Sequence, residues 1–116
     1  MAKAQSWCNQ TGCTLRASYG FFDQKLDQTP LIEIIHELEM DIYQFQPDVI
    51  YTHQPADMNS DHGVVSRAVL ASVRPMKKTT TLNEILAFET PLSTEQAPNI
   101  PQFTFMPTHY VDITKV

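Results

Sequence analysis

The sequence predicts an α/β chain, and three observations carry that prediction. Residues 31–45 repeat apolar side chains at helical spacing, residues 48–52 form a β-branched and aromatic run directly after them, and a second helical stretch past residue 60 leads to another short apolar run at 85–88. At 116 residues and 42% hydrophobic content, the chain suits one small domain without room for a second core.

Taken in order, residues 2–10 read as the tail of a helix, with Gly12 placed as its C-terminal cap. Residues 13–19 alternate enough to suggest a short strand, and 21–28 read as a loop. Thr29 as N-cap and Pro30 at the first helical position announce the next helix. Its apolar face is Leu31, Ile34, Ile35, Leu38, Ile42 and Phe45, while Glu33, Glu37, Asp41 and Gln44 point away and His36 falls off the stripe. Pro47 ends it, and residues 48–52 have the composition of a buried parallel strand. Residues 53–61 are polar and broken by Pro55. Ser60 or Asp61 can then cap a helix that turns Val65, Ala68, Val69 and Ser72 inward and stops at Arg74 and Pro75. A polar connector covers 76–81, a strand 85–88, and a Pro-rich surface excursion 91–102. Residues 103–106 and 110–113 are expected to form a last short strand or two.

Composition excludes several function classes. Charged residues make up 18% of the chain and the net charge of -5 is spread along it, so no basic stripe is available to a nucleic acid. No stretch approaches the roughly 18 apolar residues of a membrane span, and the first residues lack the apolar core of a signal peptide. The expectation is therefore a cytoplasmic chain without nucleic-acid or membrane partners, in which Cys8 and Cys13 are reduced thiols.

In open α/β sheets, ligands bind beyond the carboxyl ends of the strands, so the segment 52–62 is where a site should be sought. Within ten residues it gathers His53, Asp57, Asn59, Asp61 and His62, side chains that ligate metals or orient the ligands. The spacing alone supports a second reading equally: Asp61 as a helix cap, Asp57 and Asn59 in side-chain turns, and two solvated histidines.

The run Pro-Asp-Val-Ile-Tyr-Thr-His at 47–53, followed by Asp57, Asn59, Asp61 and His62 and an Ala/Val-rich helix, resembles the second motif of the LmbE-like (PIG-L) family of zinc-dependent N-deacetylases. Three further segments fall in the family's order. Phe22-Asp23 to Leu26-Asp27 is similar to the loop before its long helix. Phe88-Glu89-Thr90-Pro91 with Ser93-Thr94-Glu95 is similar to the segment after its next strand. Phe105, Pro107 and Tyr110-Val111-Asp112-Ile113 are similar to its late strand.

The resemblance implies removal of an acetyl group from an N-acetylglucosamine-type sugar by a zinc-bound water, with a carboxylate as general base. It makes His62 a zinc ligand and puts Asp57, Asn59, Asp61 and His53 in substrate-binding or supporting positions. Many members carry an oxyanion-stabilising histidine where this chain has Asn59, as another branch of the family does. The family's Ala-His-Pro-Asp-Asp-Glu segment, source of the other His ligand, an Asp ligand and the base, does not occur between Met1 and Val116, and its closing helix is also missing. No catalytic residue is recognisable in this chain on that basis. The expectation is one partial LmbE-like domain over 1–116, a fragment or degenerate member whose Rossmann-like, doubly wound sheet lacks its first strands. It should bind zinc weakly or not at all and be inactive alone. Two alternatives stand beside it: one half of an enzyme completed by a partner chain, or a non-catalytic sugar-binding or assembly module. An unpaired strand edge further leads us to expect a homo-oligomer.

Overall fold

The computed structural model describes residues 2–74 and 81–115. Its element order is α1 (Ala2–Thr11), a 3-10 turn (Leu26–Gln28), α2 (Leu31–Phe45), β1 (Val49–His53), α3 (Ser60–Ser72) and β2 (Glu84–Phe88). The two strands pair in parallel, with Val49 opposite Glu84 and His53 opposite Phe88. Since α3 lies between them in sequence and packs on β1, the second half of the chain is a βαβ unit, and α2 lies against α3. The mixed helix and strand content with a parallel pair is compatible with the α/β class read from the sequence.

Helix α1 ends as its sequence dictates. Gly12 takes φ +75°, and the Cys13 N–H reaches back to the Cys8 carbonyl at 3.1 Å, the long bond that closes a helix with a left-handed glycine. The expected strand at 13–19 is not formed. A strand needs a ladder partner, and this segment instead runs along α2 through side chains. Tyr19 donates its hydroxyl to Asp41, and the Arg16 guanidinium lies 4.8 Å from the Phe45 ring centre. Burial first, and then the Asp41 carboxylate, push the Tyr19 phenol well above its ordinary pKa.

The start of α2 differs by one residue from the expectation. Thr29 closes the preceding 3-10 turn with its N–H on the Leu26 carbonyl, and Pro30, still extended at ψ 121°, occupies the cap position without a side-chain bond. At the other end, Gln46 adopts φ 52° so that its N–H can bond the Ile42 carbonyl, and Pro47 then prevents continuation. Of the expected apolar stripe, Ile34, Ile35 and Ile42 are buried and Leu38 is half-buried, while Leu31 and Phe45 at the two ends are exposed. His36 is exposed.

Ile34 and Ile35 meet Val64 and Ala68 of α3 in the central cluster, with Phe21, Leu26, Leu38 and Ala71 packed around it. Val64 is buried rather than Val65, which is half-buried. The α2 contact lies on the turn that carries 64 and 68. Ala68, completely buried, permits close approach of the two helices. The connector assigned to 76–81 lies outside the described residues except for Thr81, whose hydroxyl donates to the Pro47 carbonyl at 3.1 Å. Pro75, expected to stop α3, lies outside them too. Residues 103–106 and 110–113 do not form strands, and the stretch 91–102 is a series of turns, as expected of a surface excursion.

Much apolar surface stays uncovered. The accessible area is 8978 Å², against about 6,400 Å² for a typical folded monomer of this mass. Tyr51, Met106, Tyr110 and Val111 are each more than 60% exposed. No helix among the described residues is long and apolar enough to cross a membrane.

Candidate functional site

The βαβ unit brings the expected residues together at the carboxyl ends of its two strands. His53 is the last residue of β1 and His62 sits in the first turn of α3, with the turn 54–59 between them. Their imidazole rings stack with centres 3.9 Å apart and planes within 4°, and the His53 ring also leans on Phe88 from the end of β2 at 4.7 Å. Burial, and next the neighbouring His62, hold His53 below the ordinary histidine pKa, opposed by the Asp57 carboxylate.

Asp57 lies at the centre of this arrangement, with a side chain wholly buried. Its Oδ1 accepts the Asn59 N–H at 2.8 Å and lies 3.1 Å from His62 Nδ1, a contact of ionic length that is not aligned as a hydrogen bond. Its Oδ2 accepts the Thr94 hydroxyl at 2.8 Å and the Ser93 hydroxyl at 3.0 Å. Burial pushes the carboxyl pKa up. The donors, led by the Asn59 N–H and joined by Thr94 and Ser93, with the His62 ring beside them, outweigh burial and keep it below the usual aspartate range. Ser93 and Thr94 were given no role from the sequence. The available signal was topological, because loops that follow adjacent parallel strands meet at one end of the sheet.

The helix cap is Asn59 rather than Ser60 or Asp61. Its side-chain oxygen accepts the Asp61 N–H at 3.0 Å, so in this chain the amide oxygen serves α3. Asp61 has a different task. Its two oxygens accept the backbone N–H groups of Gln24, at 2.6 Å, and Leu26, at 3.1 Å, tying the loop before α2 to the start of α3. Gln24 sits at φ 56°, a conformation that only a firm partner sustains in a residue with a side chain.

Zinc requires lone pairs converging on one point from three or four protein atoms. Among the described residues, no group of three or more His, Cys, Asp or Glu side chains is placed to hold a metal ion. The parallel rings of His53 and His62 direct their in-plane lone pairs alongside one another rather than toward a common centre. Both nearby carboxylates already accept protein donors. The described residues do not by themselves fit a zinc ion.

No curated protein and no solved structure matches the chain. A family profile does: the PIG-L family, described as GlcNAc-PI de-N-acetylase, matches residues 1–73. The matched span runs from α1 through α2, β1 and the loop bearing His53, Asp57, Asn59, Asp61 and His62 to the end of α3. It covers more than half of the sequence, and on that ground the chain belongs to the PIG-L family.

Proposed function

We infer that this chain supplies one part of a de-N-acetylase site, the His62-bearing loop of an N-acetyl-sugar pocket, and that it does not hydrolyse the amide alone. The observation that carries this is the commitment of both loop carboxylates. A general base needs an oxygen open to the proton it takes, within about 3 Å. Asp57 instead accepts from Asn59, Ser93 and Thr94, and Asp61 accepts from Gln24 and Leu26. His62 remains the residue best suited to a metal or a substrate oxygen, with Asn59, Asp57, Asp61 and His53 around it as support. The rest of a zinc shell and the base would come from other residues, in another chain or a second copy. The total accessible area, some 2,500 Å² beyond a typical monomer's and including the exposed Tyr51, Met106, Tyr110 and Val111, is of the size that stable subunit contacts remove and favours a second copy or a partner over an isolated monomer.

The test is acetate release from an N-acetylglucosamine derivative by the purified chain with added zinc, alongside zinc calorimetry and sedimentation equilibrium on the same sample. The expected result is no release above the blank, no stoichiometric zinc binding, and a mass above that of the monomer. Chelator-sensitive release from a monodisperse monomer would overturn the reading.

A further inference from the structure

The Asp57 carboxylate is buried, charged and shared among three segments, which is more than a turn requires. A side-chain turn at 57–59 needs one oxygen on one N–H, and Oδ1 on Asn59 meets that need. The remaining contacts point elsewhere. Through Oδ2, Asp57 holds Ser93 and Thr94, and the chain there is folded into a closed ring. Thr94 Oγ1 accepts the Thr90 N–H at 2.8 Å, the Thr94 N–H bonds the Thr90 carbonyl at 3.0 Å, and the Met58 N–H bonds the Ser93 carbonyl at 3.3 Å. Through Oδ1, the same carboxylate faces Nδ1 of His62, the nitrogen nearer the ring's attachment.

We propose that Asp57 is the positioning residue of this site: one buried carboxylate fixes the ring of His62 from its Nδ1 side and pins the loop after β2 beside it. A negative charge at Nδ1 favours the tautomer with its proton on that nitrogen, which leaves the Nε2 lone pair as the acceptor offered to a metal or a donor group. The hydroxyls of Ser93 and Thr94 fix the other carboxylate oxygen, so Oδ1 cannot swing away from the ring. The loop after β2 and the His62 ring are therefore set by one group, and a change in either is felt by the other. The proposal rests on reading His62 as a residue of the site.

The experiment is long-range proton–nitrogen correlation of the histidine rings in the uniformly ¹⁵N-labelled full chain at neutral pH, with amide exchange followed at Thr94. The expected result is His62 with its proton on Nδ1 in the wild type, and a reversal toward the Nε2–H form in Asp57→Ala together with at least a tenfold faster exchange at the Thr94 amide. Thr94→Val, which keeps the volume and removes the donor, should move the His62 tautomer in the same direction to a smaller extent. A wild-type His62 with its proton on Nε2 overturns the proposal without reference to any variant, as does a Thr94→Val ring identical to wild type. Neither readout depends on acetate release, so a failed hydrolysis reading and a failed positioning role are told apart.

Discussion

Asp61→Ala is expected to destabilise the chain by about 3 kcal/mol, enough to remove a large part of the 5–15 kcal/mol that holds a domain of this size together. The carboxylate accepts two backbone N–H groups from a loop more than thirty residues away, and alanine leaves both without an acceptor in a part-buried setting. Each such orphan costs roughly 1–3 kcal/mol. The aspartate also stands in the first turn of α3, where a negative charge interacts favourably with the helix dipole, so its removal adds a few tenths of a kcal/mol. Gln24, held at φ 56° by the shorter of the two bonds, would lose what sustains that conformation. Urea unfolding at neutral pH is the measurement. A loss below about 1 kcal/mol would mean that water replaces the carboxylate freely and that the tether contributes little to the fold.

Asp57→Asn should show a second large effect, one that depends on pH. At neutral pH the substitution exchanges charge-assisted acceptors for neutral ones, at an expected cost of about 2 kcal/mol. The folded carboxyl pKa lies below the unfolded aspartate value of about 3.9. A depressed folded pKa gives stability that is fully present above the unfolded value and is lost as pH falls through the folded one. The gap between wild type and Asp57→Asn should therefore stay constant from neutral pH down to about 5 and narrow below about 4, because a protonated carboxyl resembles the amide. Paired urea titrations at several pH values read this directly. A gap unchanged at the acid end would show that the ionised form of Asp57 gives the fold nothing.

The sequence carried the helices and the strands that pack, because burial imposes a period that composition records. Ile34, Ile35 and Ile42 mark the buried face of α2, and the β-branched run before His53 marks β1. It misled at 13–19, where side chains alternate, and at 103–106 and 110–113; none of these segments pairs with a strand among the described residues. The site was legible as a cluster and not as a network. His53, Asp57, Asn59, Asp61 and His62 could be picked out by residue type, yet their division of labour depends on distant donors. Ser93 and Thr94 lie more than thirty positions past Asp57, and the N–H groups that bind Asp61 belong to residues 24 and 26, where the backbone donors of every residue look alike in sequence. The cap was misplaced for a local reason. Asn59, Ser60 and Asp61 are all good caps, and only the extended backbone of Asn59 decides among them.

The parallel pairing of β1 with β2 has a consequence for how the chain reaches this state. Partners such as Val49 and Glu84 are 35 positions apart, so closing that loop costs about 3 kcal/mol of chain entropy before the first ladder bond forms. A hairpin would zip outward from its turn, but here there is no turn to start from. The contacts that can form over shorter spans are those of α3 with β1, and the folding of α3 between the strands shortens the effective gap that they must bridge. The ladder thus belongs to the slow, topology-limited side of folding. The bonds from Ser93 and Thr94 to Asp57, beside His62, form only when the two strand ends finally meet.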